Sequence, residues 1–343
     1  MKTRLLSVLC VLMMSLGIQA HDLEPLHVDG RYLKNSKGDI VTLHGWLVGP
    51  HPWFHSENFS WGGRDVATCV KNLKASIDTI MASGWKMDYI RFKLDPYWCS
   101  DDEHLKTFHF DDFKFYFEEV FLPLIDYYHE KGLYTLLWPP FFGGDPEVGD
   151  EMQQHLLLLW DYVSSHPRIR NNPGVMFELT NEPVGFTCKQ GENYDFGGWK
   201  DNYKVFKEVR DYWQPIVDKI RSHCDNIIYI PGLTYEIDHE GFADFPIKGS
   251  NIGHAVHYYP SANPRSDWEK HIFPAAYHAP IIITETSWGY GEFLPGNTSN
   301  FGEPLKRIID ELGNVSWNSF DSYEAYYISV NKPSSEEKGS YSK

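Results

Sequence analysis

Between residues 41 and 320, short apolar runs alternate with stretches whose apolar side chains recur every three or four positions. The runs are VTLHGWLV (41–48), MDYIRFKL (87–94), LYTLLW (133–138), GVMFELTN (174–181), NIIYIPG (226–232), IGHAVHYY (252–259), PIIITETSW (280–288) and NVSWNSF (314–320). Rich in β-branched and aromatic residues, they read as buried strands. Between the first two, Val66, Val70, Leu73, Ile77 and Ile80 keep a helical period, which predicts a helix over 66–83. The stretches 113–131, 151–165, 200–222 and 303–312 read the same way. The intervals 233–251 and 260–279 are weaker, with a short helix at 267–276.

Apolar strands alternating with helices imply a parallel sheet covered on both faces. Eight such units predict a closed (β/α)8 barrel, a TIM barrel, in a single domain. Ahead of it, LHVDGRYLKNSKGDIVTLHGW (26–46) predicts a β-hairpin turning at Asn35-Ser36-Lys37-Gly38. No repeat or interdomain linker interrupts 21–331, and the polar segment 332–343 is expected to fray. The short stretch beyond the last run leaves little chain for an eighth helix, so either an irregular final unit or a clipped sequence is expected.

Residues 1–20 place Lys2 and Arg4 before an apolar run and a small residue, the pattern of a secretory signal peptide. Export to the periplasm or the medium follows as the expectation, with no membrane association after cleavage. Cys69, Cys99, Cys188 and Cys224 would then meet oxidising conditions, and four cysteines allow three pairings. Asn58, Asn297 and Asn314 each open an N-x-Ser/Thr acceptor triplet.

With 42% hydrophobic residues, a chain of 343 residues can bury a large core. Its formal charge of −16 becomes −18 once Lys2 and Arg4 are removed (−16 − 2). Such a chain suits neither nucleic acid nor an anionic membrane, both of which reward basic surfaces; a monomer acting on a neutral ligand is expected. No CxxC, HExxH, GxSxG or GxGxxG occurs, so thiolate zinc, zincin, esterase and dinucleotide chemistry lack their motifs, and neither metal nor cofactor is expected. Asp101-Asp102-Glu103 reads as solvated loop charge.

The chemistry concentrates where strands end. In FELTNEPVG (177–185), Pro183 forbids a continuing helix, so Glu182 stands at the C-terminal end of the fourth run. PIIITETSWGYG places Glu285 at the end of the seventh, 103 residues later. On a closed barrel these ends share one mouth, where barrel enzymes carry their active sites. Arg91 lies near the end of the second run, and an arginine beside a carboxylate keeps it ionised. His257 and Tyr259 end the sixth on one face, because strand side chains alternate, and Trp317 lies on the eighth. Glu178 is a candidate to pair with Arg91 beneath the site.

Arg91, Asn181-Glu182-Pro183, His257-Tyr258-Tyr259, Thr284-Glu285 and Trp317, in this order and spacing, resemble glycoside hydrolase family 5, within the clan of retaining (β/α)8 glycosidases. The resemblance covers roughly residues 27 to 320. It implies Glu182 as acid/base, Glu285 as nucleophile and Asn181 as the ligand of a sugar 2-hydroxyl. One departure stands out: family members usually carry a histidine at the end of strand three, where this chain has Pro139-Pro140; His44, His51 and Trp138 are candidates to compensate. Trp53, Trp288 and other aromatics in the strand-following loops suit stacking on a neutral polysaccharide. Cellulase-like endo-β-1,4-glucanase is the first expectation, with a β-mannanase or other β-1,4-glycanase as alternative. The reading from another class is a non-catalytic glycan-binding protein on a glycosidase scaffold.

Overall fold

The computed structural model describes residues 23–48, 66–94, 110–140, 145–191, 193–194, 205–286 and 298–319. Each apolar run contains one strand: β3 His44–Val48, β4 Tyr89–Lys93, β5 Tyr134–Trp138, β6 Val175–Glu178, β7 Ile228–Pro231, β8 Ile252–His257, β9 Ile281–Glu285 and β10 Val315–Ser319. They pair in parallel in chain order, and β10 closes on β3. This is the predicted (β/α)8 barrel.

Helices Val66–Ala82, Glu151–Ser165, Phe206–Arg221 and Glu303–Leu312 cover the barrel. The helix predicted over 113–131 is instead Phe110–Tyr116 and Leu122–Glu130, joined by a π turn at Phe117–Phe121. A π turn also precedes Phe273–Ala276 and Glu303–Leu312. All three following helices carry proline in their first two positions, Pro123, Pro274 and Pro304. A proline withholds the N–H that an α-ladder would use, and the preceding turn widens locally.

Barrel parity divides the strand residues. Ile90, Phe92, Leu137, Phe177, Ile228 and Ile230 face the helices. Tyr89, Leu136, Met176, Tyr229, Ala255 and Ile282 fill the barrel floor, with Leu33 and Leu43 beneath them. The floor is tight: a Cβ on Gly45 of β3 would lie 2.3 Å from the Tyr89 ring. Gly45→Ala is therefore expected to destabilise the fold by about 1–3 kcal/mol through overpacking. Urea denaturation reads this directly, and an unchanged midpoint would mean that the Tyr89 ring moves aside freely.

Two sequence expectations need correction. The hairpin pairs β1 (His27–Asp29) with β2 (Tyr32–Lys34), so its tight turn is at Gly30-Arg31, where Gly30 takes φ +58°. The Asn35–Gly38 turn exists, but it leads only to a bridge between Lys34 and Ile40. Asn314 cannot serve as a glycan acceptor in the folded chain: it is buried, and its Nδ2 donates to the carbonyls of Arg31, Ala276 and Ala279. Cys188 and Cys224 carry thiols. Residues 1–20, Asn58, Cys99, Asp101-Asp102-Glu103, Asn297 and 332–343 lie outside the described residues.

Candidate active site

Arg91 on β4 is fully buried and organises the mouth of the barrel. Its Nε and Nη2 donate to the two carboxylate oxygens of Glu178 on β6 at 2.8 and 2.7 Å. Nη1 donates to Glu285 Oε1 at 2.6 Å, and Nη2 also to Asn181 Oδ1 at 2.8 Å. Burial works against the guanidinium charge, but Glu178 and Glu285 outweigh it and raise the Arg91 pKa. Burial pushes the Glu178 carboxyl up while the Arg91 fork and the Thr284 hydroxyl, donating at 3.0 Å, pull it back. The net direction is upward, and the bidentate pair with the guanidinium makes Glu178 support beneath the site.

Glu285 ends β9 and accepts on its second oxygen from Tyr259 Oη at 2.8 Å. Burial and the Glu285 charge raise the Tyr259 pKa, which keeps this hydroxyl a donor. Glu182 stands four residues past the end of β6 in a left-handed conformation, φ +43°, and is part-exposed to the mouth. Burial raises its pKa, against the opposing pulls of Arg91 and Asn181. His257 Nδ1 lies 2.8 Å from Glu182 Oε1 and 3.5 Å from Glu285 Oε2. Burial pulls this imidazole down to about 3, so it is neutral at ordinary pH. Ligand atoms of Glu182, His257 and Glu285 all lie within 4.8 Å of one another. A register shift between Val256 and His257 sets His257 opposite Glu285, and both His257 and Tyr259 reach the carboxylates.

Glu236 belongs to this cluster and escaped sequence reasoning. It sits in a turn after β7 in which Thr234, Tyr235 and Glu236 all take positive φ, 53°, 53° and 62°. Such conformations cost non-glycine residues of order 1–3 kcal/mol each and persist where surroundings over-determine them. Here the turn is stitched to the Glu182 loop. Thr234 N–H donates to Val184 O, Tyr235 N–H to Pro183 O, and Glu182 N–H to Glu236 Oε1 at 2.8 Å. Asp238 holds the turn from behind, accepting from Thr234 Oγ1 and Tyr194 Oη. The available signal was the one used for Glu182 and Glu285: Gly232-Leu233-Thr234-Tyr235-Glu236 follows an apolar run.

At strand three, where the departure lies, Pro139 and Trp138 both contact the candidate site. The Pro139 carbonyl accepts from Asn181 N–H and Thr180 Oγ1, anchoring the Glu182 loop through the backbone. Trp138 lies under the Arg91 guanidinium, 4.1 Å from ring centroid to Cζ. Trp317, expected as a floor for the sugar, packs instead with Ile309 against the cluster beneath the last helix. Its ring meets His44 at 4.7 Å. Ser316 and Asn318 face the other way, bonding Leu43 N and Thr284 O, so parity turns Trp317 outward. His51, Trp53 and Trp288 lie outside the described residues.

Among the described residues, three groupings have the spacing of metal ligands. Glu178–Glu236–His257 and Glu182–His257–Glu285 belong to this site, where the Arg91 guanidinium supplies the positive charge. The third is Asp238–Glu240–His271. Burial pulls His271 down, but its bonds to Asp238 and Glu240 push it up to about 9. The ring is then a protonated ion-pair partner rather than a ligand.

The parallel (β/α)8 barrel gathers an arginine, a neutral histidine and several carboxyls at its C-terminal mouth, where barrel enzymes carry their active sites. Residues 52–333 match the profile of Cellulase (glycosyl hydrolase family 5), and the chain belongs to that family. Among curated relatives, an endoglucanase of Bacillus sp. (strain KSM-635) is 27% identical over 206 residues, 55% of this chain and 21% of that protein. An endoglucanase of Halalkalibacter akibai is 23% identical over 260 residues, 72% of this chain and 27% of that protein. The matched regions thus span about a quarter of these relatives' length. Among solved structures, Cellulase Cel5C_n superposes with TM-score 0.66 at 18% identity, covering 93% of this chain and 91% of that one. The catalytic domain of a Thermobifida fusca endoglucanase gives 0.62 at 18%, covering 88% and 85%. At such identity these structures speak for the fold.

Proposed function

We propose that this chain is a secreted, retaining β-1,4-glycanase, an endo-β-1,4-glucanase in the first instance, with Glu182 as acid/base and Glu285 as nucleophile. One observation carries the reading: an oxygen of one carboxyl lies within 4.8 Å of an oxygen of the other, yet the two groups sit in opposite environments. Retaining pairs stand about 5–5.5 Å apart, and inverting pairs about 6.5–9.5 Å to admit a water. Glu285 receives hydrogen bonds from Arg91 and Tyr259, as an ionised nucleophile requires. Glu182 has its pKa raised by burial, as a proton donor requires.

The reaction follows from these states. Glu285 attacks the anomeric carbon while Glu182 gives its proton to the departing glycosidic oxygen. Glu182, now ionised, takes a proton from water, and the resulting hydroxide character displaces Glu285. Two like inversions return the original anomeric configuration. Asn181 is held by Arg91 beside this centre, placed to bind a hydroxyl of the reacting sugar. Tyr235, exposed on the strained turn next to the Glu182 loop, offers an aromatic face there.

A glucan is favoured by the endoglucanase relatives and by the cellotetraose complexes of the Saccharophagus degradans β-glucanase and the T. fusca endoglucanase. A β-mannanase remains the second reading, because the missing strand-three histidine alters contacts to the reacting sugar. Export rests on residues 1–20. The binding-protein alternative loses ground because both carboxyls are present and differently poised.

Purified protein assayed on soluble cellulose derivatives, mixed-linkage glucan and mannan would settle substrate. A β-anomer as first product, by proton NMR, is expected; an α-anomer would remove Glu285 from the nucleophile role. Glu182→Gln should lose about 10²–10⁴-fold on cello-oligosaccharides and far less in glycosylation by aryl cellobiosides with good leaving groups. The sign of the pH effect is also set. A raised pKa keeps Glu182 protonated beyond the ordinary carboxylate range, so kcat/KM should fall only on the alkaline side of that range. An alkaline limb that survives in Glu182→Gln would assign it to another group.

A further inference from the structure

Glu236 is fully buried, and one of its oxygens, Oε2, has no hydrogen-bond partner among the described residues although the other accepts from Glu182 N–H. A buried oxygen without a partner is costly unless a proton there reaches a lone pair. The facing atom is His257 Nε2, 3.5 Å away. What that nitrogen carries follows from the arginine beside it. Arg91 Nη2 lies 3.3 Å from His257 Nε2, and a cation at that distance disfavours an imidazole N–H pointing at it. A guanidinium nitrogen can only donate, so Nη2 shares its hydrogens among Glu178, Asn181 and Nε2, and the imidazole nitrogen accepts. Nε2 is therefore a lone pair, and the ring hydrogen is on Nδ1, the atom facing Glu182. Without a proton on Glu236, Oε2 and Nε2 would present two bare lone pairs to each other.

We propose that Glu236 positions the acid/base: its carboxylic O–H donates to His257 Nε2 and locks the tautomer whose Nδ1–H faces Glu182, while its other oxygen anchors the Glu182 backbone. The inference rests on Glu182 being the acid/base. Its use comes when Glu182 has lost its proton. Nδ1–H then donates to the new carboxylate, both as the leaving group departs and as water is activated. The groups facing Glu236 agree with a neutral acid. Glu178 from β6 is close and holds the Arg91 fork from β4, Glu182 lies on the adjoining loop, and His257 from β8 is neutral. His239 bonds the Glu236 carbonyl from behind and is pulled by burial to about 4. Burial, and then the Glu178 charge, push the Glu236 carboxyl well above its ordinary value.

The test uses Glu236→Gln, whose amide reproduces both bonds of the neutral acid, and Glu236→Met, which makes neither. Per active site, titrated with a 2-fluoro-cellobioside that traps the glycosyl-enzyme, Glu236→Gln should keep kcat and its pH profile. Glu236→Met should lose up to about 10²-fold in kcat, as misplaced catalytic groups do, with KM little changed and the alkaline limb moved upward. Nitrogen-15 NMR, with His257 assigned by its loss in His257→Asn, should show Nδ1–H in wild type and Glu236→Gln, and an altered tautomer in Glu236→Met. Stability supplies a readout independent of turnover and of the methionine variant's folding. Above about pH 4.3 the unfolded glutamate releases its proton and the folded one retains it. The folding constant of wild type relative to Glu236→Gln should then fall by up to tenfold per pH unit until the folded pKa is passed.

A pH-independent difference, a shifted pH profile in Glu236→Gln, or an unchanged tautomer in Glu236→Met would overturn the proposal. Glu182→Gln is run beside them on graded leaving groups. Equal losses on good and poor leaving groups would show that the reading of Glu182 has failed, whatever Glu236 does.

Discussion

Glu285→Ala is expected to lose at least about 10⁴-fold in kcat, roughly 5.5 kcal/mol of barrier at 1.36 kcal/mol per decade, while staying folded. The carboxylate is the atom source of the first bond made, and nothing nearby replaces it. Glu178 is tied to Arg91, and Tyr259 loses the acceptor for its hydroxyl. Azide then separates the roles of the two glutamates. In Glu285→Ala it enters the vacated space and attacks the anomeric carbon from the nucleophile's side, giving an α-glycosyl azide. In Glu182→Ala, with an activated aryl substrate, it attacks the glycosyl-enzyme from the opposite face and gives the β-azide. The reverse pairing of variant and product would exchange the assignments, and azide products from neither would reject double displacement.

The second large effect is Arg91→Leu. Arg91 supplies the positive charge for Glu178 and Glu285 and the donor for Asn181. Removing one member of a buried ion pair costs about 3–5 kcal/mol, because the charge left behind is uncompensated. The leucine variant is expected to unfold at distinctly lower denaturant and to retain little turnover. Glu285 loses the donor that holds and orients one of its carboxylate oxygens for attack. Arg91→Lys should recover part of the stability and little of the activity. An ammonium is a point charge and cannot fork to Glu178 while reaching Glu285. Equal activity in lysine and wild type would mean that charge, not geometry, is what Arg91 supplies.

Much of this site was legible before any fold was seen. Glu182 and Glu285 announced themselves by ending apolar runs, one stopped by Pro183 and the other by a glycine-rich loop. His257 and Tyr259 followed from strand alternation, and Arg91 from its place on β4. Trp317 did not, because alternation alone does not say which parity faces the barrel. Only the bonds of Ser316 and Asn318 show that Trp317 faces out. Glu236 was passed over because the residues after β7 have neither a helical nor a strand period. Their left-handed turn is held by partners on other elements, Val184, Pro183, Asp238 and Tyr194.

By itself, the chain's sequence determined the number and order of the strands, the closed parallel barrel and the ends from which the chemistry projects. These follow from local periodicity and from the need to cover both faces of a parallel sheet. Tertiary structure alone decided which carboxyl pairs with Arg91, which way Trp317 turns, where the π turns ahead of the proline-led helices fall, and that Glu236 lies beneath the proposed acid/base. Burial, pKa and hydrogen-bond partners depend on residues that converge from β4, β6, β7, β8 and β9, and no spacing along one chain encodes the distance between them.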